Sequence, residues 1–225
     1  AWLNTEDEVE LSSASYYLYL PWIAEHGDFV IHAIKKQGVP IQKFALIKNS
    51  DSMDNRILVK NFAKNHPDQY RKIVLSRLIK VKDQVKGMLV TLDWIEPMSI
   101  LIDACKELNI PTYLIPHESV FLKEDKYYFN ARTGISYPRV DKIFAWGNLQ
   151  KSIFTKRGFA ENDIIVTGAP KFDPYYQYQP KVTRQQLNRL MGFKQDRKLI
   201  SYAVQPLDSQ LNMEQARKVQ QQAIR

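Results

Sequence analysis

Seven short apolar runs, several apolar on consecutive residues, constrain this chain more than any other feature. They are DFVIHA (28–33), KFALIK (43–48), MLVTL (88–92), TYLI (112–115), KIFAW (142–146), DIIVT (163–167) and KLISYAV (198–204). A run without polar alternation suits a strand covered on both faces. Between the runs lie stretches of helical period. IEPMSILIDACKELN (95–109) sets Ile95, Met98, Ile102, Cys105 and Leu108 along one face, and NLQKSIFTKRG (148–158) closes on Gly158, a residue suited to ending a helix. Strand and helix in alternation imply an α/β fold: a Rossmann-like parallel sheet with right-handed crossovers and helices on both faces.

In open parallel sheets, ligands bind beyond the carboxyl ends of the strands. MLVTL runs directly into Asp93-Trp94, and TYLI into Pro116-His117-Glu118. Pro116 cannot donate a ladder hydrogen bond, so it marks the strand's end and leaves the His-Glu pair to the loop. If the two strands are neighbours, Asp93, His117 and Glu118 share one rim. The alternative is structural: such residues also cap helices or bond to backbone.

The other candidate chemistries find little support. Cys105, the only cysteine, sits in a helical pattern as a small core residue, and His26, His32, His66 and His117 are scattered without metal-ligand spacing. No Gly-x-Gly-x-x-Gly or Walker-type loop occurs, which counts against dehydrogenase and ATPase readings. No apolar run approaches the ~18 residues of a membrane span, and the start does not read as a signal peptide, so the expected location is cytoplasmic.

The formal net charge of +8 is unevenly placed: residues 56–86 hold nine Lys or Arg against Asp68 and Asp83, while Glu6, Asp7, Glu8 and Glu10 crowd the start. A basic, helical 56–86 fits an anionic membrane surface at the inner face of a membrane, a phosphorylated substrate, or a solvated helix face. No zinc-finger spacing or RNP-like motif accompanies it, and nucleic acid is not an expected partner.

The run DIIVT leads into VTGAPKFDPYY (166–176), whose glycine and prolines make a rigid exit. Composition then turns to tyrosine and glutamine. This predicts a first domain over 1–172, a linker over 173–195, and the start of a second α/β domain over 196–225.

From about Lys86 to Gln210 the order of these motifs resembles the GT-B superfamily, which includes nucleotide-sugar glycosyltransferases and the related UDP-N-acetylglucosamine 2-epimerases. MLVTLDW is similar to the strand ending in an acidic residue, and IPTYLIPHES to the next strand ending in histidine and glutamate. RVDKIFAWGNLQKSIFTKRGFAENDIIVTGAPKFD is similar to the core that leads into the second domain, and RKLISYAVQP to that domain's opening strand. The nearest resemblance is to bacterial transferases of capsule and lipopolysaccharide assembly. The epimerases have a histidine and arginine where this chain has Gln205-Pro206, and alanine-glycine where Ser119-Val120 follow Glu118, so transferase leads over epimerase.

The resemblance implies a nucleotide-sugar donor, a glycan or lipid-linked acceptor, and no metal or other cofactor; the sequence has no Asp-x-Asp motif. It implies Glu118 or Asp93 as base or nucleophile, with His117 orienting the carboxylate and Trp94 and Phe121 partly desolvating it. Arg132 and Tyr128 would line the acceptor side, Lys171 would reach a phosphate, and Gln205 and Pro206 would face the donor. Gly168 and Pro170 would shape the crossing between domains. An opening strand with a glycine-rich loop is not evident before residue 28, and the second domain is expected to be truncated at Arg225, leaving a weakly active or inactive fragment. The non-enzymatic alternative is an α/β module docking through 56–86, with Asp93 and Glu118 as caps or surface ion pairs.

Overall fold

The computed structural model describes residues 15–20, 22, 24–44, 46, 53–118, 134, 137–176, 178–194 and 213–224. Six strands, β1 (Tyr16–Tyr19), β2 (Ile41–Lys43), β3 (Val85–Val90), β4 (Thr112–Leu114), β5 (Lys142–Ala145) and β6 (Ile164–Val166), form one sheet in the order β2-β1-β3-β4-β5-β6. Every neighbouring pair is parallel. Helices α1 (Ala24–Lys36), α2 (Met53–Asn65), α3 (Pro67–Val81), α4 (Glu96–Glu107) and α5 (Asn148–Lys156) fill the connections, giving a Rossmann-like α/β fold.

Two departures from the sequence reading concern the start of the sheet. DFVIHA lies within helix α1, not in a strand. Val30, Ile31 and Ile34 are buried or half-buried, whereas His32, Ala33, Lys35 and Lys36 are exposed, a one-sided helical stripe. The opening strand is instead the aromatic YYLY of β1, and β2 begins earlier than expected, at Ile41. A strand therefore does precede residue 28. The run at 198–204 lies outside the described residues.

Strand alternation divides the core into two layers. Tyr16, Leu18, Met88, Val90, Leu114, Ile143 and Ala145 face one way and pack with Val74 and Leu78 of α3, Leu101 and Cys105 of α4, and Phe154 of α5. Helix α2 packs against α3 and α4. Tyr19 and Leu89 face the other way and meet Ile31 of α1 and Ile41. On that second face Tyr113 lies edge-on to Tyr17 at 6.2 Å and stacks on Phe144 at 6.0 Å, a row of rings across the strands. Gly87 makes this possible, because a Cβ there would stand 2.5 Å from Cε2 of Tyr113 and 3.0 Å from the Pro111 carbonyl oxygen.

The basic segment 56–86 forms α2, α3 and the edge of β3. Val59, Ala63, Tyr70, Val74 and Leu78 turn inward, and Lys60, Lys64, Lys72, Lys80, Lys82 and Lys86 are exposed. Arg71 pairs with Glu107 of α4, and Arg56 donates to the Trp22 carbonyl oxygen (2.8 Å).

Backbone contacts divide the chain into two compact units, Ala1–Gln177 and Tyr178–Arg225. A short helix, α6 (Asp173–Tyr176), closes the first. In the second, α7 (Arg184–Leu190) begins with a reciprocal cap: Gln186 N–H donates to Thr183 Oγ1 (3.2 Å), and Thr183 N–H donates to Gln186 Oε1 (2.7 Å). Helix α8 (Met213–Ile224) follows.

Candidate active site

Strand β1 is flanked by β2 on one side and β3 on the other, so the chain reverses its direction of winding between β1 and β3. Crevices beyond the carboxyl ends at such a switch are the usual ligand sites of open α/β sheets. Strand β3 borders that switch, and β4 lies on its far side. The β3 and β4 tips are adjacent, with Val90 opposite Leu114, and the pairing continues past the strands, where Ile115 N–H donates to Val90 O (2.9 Å) and His117 N–H to Thr91 O (3.2 Å). Asp93, His117 and Glu118 thus belong to adjacent tips.

The chain leaving β6 returns over this rim. Thr167 N–H donates to Ala145 O beyond β5, Gly168 turns the backbone at φ +88°, Lys171 Nζ donates to His117 O at the β4 tip (3.2 Å), and the turn Pro170–Phe172 packs against α1. This segment is a strap across the carboxyl ends of β5 and β4. A non-glycine residue at Gly168 would be held in a left-handed conformation.

Three consecutive carbonyls of the β4 tip are held by side chains from later elements. Trp146 Nε1 donates to Pro116 O (2.9 Å), Lys171 Nζ to His117 O, and Gln150 Nε2 to Glu118 O (3.3 Å). Gln150, itself buried, also accepts from Trp146 N–H through Oε1 (2.7 Å). The backbone that carries Glu118 is therefore fixed independently of its side chain.

His117 is buried, and its Nδ1 lies 2.9 Å from Thr91 O. A carbonyl accepts only, so Nδ1 carries the proton and Nε2 holds the lone pair in the neutral ring. Nε2 stands 3.7 Å from Glu118 Oε1, and the Glu118 side chain is 47% exposed. This is a fixed imidazole beside an accessible carboxylate.

Asp93 is placed differently. It is 2% exposed, beneath the rim rather than on it. Its Oδ2 accepts from Arg139 N–H at 2.6 Å, and Oδ1 has no hydrogen-bond partner among the described residues. Arg139 in turn donates through Nη1 to Ser99 Oγ (3.1 Å) and Asp103 Oδ2 (2.9 Å) of α4. Desolvation pushes the Asp93 carboxyl up to about 7, against the opposing pull of Arg139 and Lys106. A carboxylate sealed in this way is a latch between the β3 tip and the approach to β5, buried where Glu118 is exposed. Trp94, next in sequence, is 37% exposed.

Lys171 Nζ also sits 4.4 Å from the centre of the Trp146 indole and 5.3 Å from the Phe172 ring, and the two rings meet edge to face at 5.8 Å. Tyr128, Arg132, Gln205 and Pro206, with Phe121, lie outside the described residues. Among the described residues no group of three His, Cys, Asp or Glu is disposed to hold a metal ion. Cys105 is buried, and desolvation pushes its thiol up to about 12, as befits a core residue. A cavity of about 220 Å³ lined by Asp28, Ile31, His32, Lys35, Ile41 and Lys43 contains none of the candidate residues.

The sequence reading did not anticipate Thr91, Arg139, Trp146, Gln150 or Phe172. Trp146 carried the available signal, because it follows the apolar run of β5 as His117-Glu118 follows β4. Comparison with protein-family models and with curated proteins finds no match to this chain.

Proposed function

We propose that this chain is the acceptor-side part of a metal-independent GT-B-type glycosyltransferase, moving a sugar from a nucleotide-sugar to a glycan or glycolipid acceptor in bacterial surface polysaccharide synthesis on the cytoplasmic side. The observation that carries the reading is the oriented His117 beside the accessible Glu118 at the tip of β4, one strand removed from the topological switch between β1 and β3. The same pair at a helix cap or in a surface ion network would not support it.

In an inverting transfer the acceptor hydroxyl oxygen bonds to the anomeric carbon. The carbon–oxygen bond to the nucleotide's phosphate breaks, and the leaving nucleotide takes the electron pair. The acceptor's proton passes to a base. Glu118 is that base, and His117 stands beside it: Thr91 O holds Nδ1, which turns Nε2 toward the carboxylate, with which a protonated ring forms an ion pair. Asp93 supports the rim from below through Arg139. The exposed lysines of α2 and α3, with Ile57, Leu58 and Ile79 among them, suit approach to the anionic surface on which a lipid-linked acceptor resides. No helix among the described residues is long and apolar enough to cross a membrane.

The test pairs binding with turnover. UDP-, GDP- and CMP-sugars are screened by thermal shift against the enzyme with its complete donor-binding domain, and the donor that stabilises it is used in a transfer assay with Glu118→Gln. Loss of a general base lowers turnover by about 10²–10⁴-fold with the unfolding transition unchanged. Full activity in Glu118→Gln removes the base role, and stabilisation by no nucleotide-sugar removes the transferase.

A further inference from the structure

The proposed function leaves a cluster on the strap without a role. Phe172 is 53% exposed although it follows a lysine that is tied down twice. Its ring stands edge-on to Trp146, whose own polar edge is spent on Pro116 O. Lys171 is half-buried, and no carboxylate among the described residues pairs with it; its donors meet a carbonyl and two aromatic rings. Glu118 extends from the adjacent tip, its own carbonyl held by Gln150, four residues after Trp146.

An exposed aromatic face is favourable to the apolar face of a ring and indifferent to its hydroxyl pattern. An unneutralised ammonium beside it favours a negative substituent, and favours it more strongly because the site is partly shielded from water. A carboxylate within the same rim accepts hydroxyl hydrogens. Together these select a hydroxylated ring that carries an anionic group. A flat, uncharged apolar ligand would leave Lys171 and Glu118 unsatisfied. Bare phosphate would leave Phe172 unused.

We infer that Phe172, its ring braced edge-on against Trp146, is a stacking platform for the ring of a negatively charged sugar, with Lys171 pairing its phosphate or carboxylate group. The inference rests on the rim being an acceptor site and names the class of acceptor: an anionic sugar. Phe172 and Lys171 set specificity, and neither takes part in the proton transfer.

The experiment is an NMR titration read on the amide chemical shifts of the whole protein, with four probes: glucose 1-phosphate, glucuronate, glucose and inorganic phosphate. The expected order places both anionic sugars ahead of glucose and of phosphate, which separates a phosphate preference from a carboxylate preference by the two charged arms. Phe172→Ala weakens the anionic sugars by about 3- to 10-fold, the range of one aromatic contact, and leaves phosphate unchanged. Lys171→Met abolishes the distinction between anionic and neutral sugars; Lys171→Gln does the same if the methionine variant fails to fold.

Equal response to glucose 1-phosphate and inorganic phosphate overturns the platform, as does binding insensitive to Phe172→Ala, and so does a failure of every probe. Because the readout is binding, its failure is separable from that of the transferase. A protein that binds anionic sugars but transfers no sugar refutes only the transferase. A protein that transfers sugar but ignores these probes refutes only the platform.

Discussion

Asp93→Asn offers the sharpest test of how the rim is built, because the carboxyl is sealed from solvent and ionises near neutrality. Its ordinary value of 3.8 is lifted to about 7 by desolvation. The folded state therefore holds this proton more tightly than the unfolded state does. Below about pH 4 both states are protonated and the group contributes nothing. Between about pH 4 and about pH 7 the unfolded chain has lost the proton and the folded protein retains it, so stability falls as pH rises; above about 7 the loss is complete. At about 1.4 kcal/mol for each tenfold change, the total is on the order of 4 kcal/mol.

Asparagine keeps an oxygen for Arg139 N–H and removes the ionisation. Urea unfolding of both proteins from about pH 4 to about pH 8 measures the difference. The stability of Asp93→Asn relative to wild type rises across this range by several kcal/mol and levels off near pH 7, whatever constant offset the lost charge at Arg139 adds. Parallel profiles would refute the burial argument. A variant that falls further behind with rising pH would show instead that the ionised carboxylate stabilises the fold, and that Arg139 outweighs desolvation.

Two further predictions address the scaffold. Gly87→Ala forces Tyr113 away from its place over β3 and disrupts its contacts with Tyr17 and Phe144, at about 1–3 kcal/mol of stability by urea unfolding. Adding Tyr113→Ala to Gly87→Ala costs less than the sum of the single changes, and strict additivity would show that the ring is not what Gly87 accommodates. Thr183→Ala removes the reciprocal cap of α7, at about 1 kcal/mol, read as faster amide exchange in the helix's first turn. Unchanged exchange there would remove the cap from the account.

How much of this was legible in the sequence depends on the range of the signal. The parallel sheet from β3 to β6 could be read directly from its consecutive apolar residues, although edge strand β6 buries Ile164 and leaves Ile165 and Val166 exposed. The two misread elements have local causes. In α1 a β-branched cluster imitates a strand, although Val30, Ile31 and Ile34 keep helical spacing. In β1 tyrosines replace the usual aliphatics while still alternating between two faces, with Tyr16 and Leu18 in one core layer and Tyr19 in the other.

For the site, the neighbouring tips of β3 and β4 followed from one βαβ unit. The burial of Asp93 did not. It depends on Arg139, 46 residues away, whose side chain is anchored to α4 by contacts that no local pattern encodes. The clamps on Pro116, His117 and Glu118 likewise span 30 to 54 residues, and only the folded sheet brings them together.

The three clamped carbonyls carry a practical consequence. Since the main chain at the β4 tip is secured by Trp146, Lys171 and Gln150, position 118 behaves as a socket whose fitting can be exchanged. Aspartate, histidine, cysteine or tyrosine installed there would project from an unaltered mount, and any difference in reactivity among such proteins would report the installed group alone.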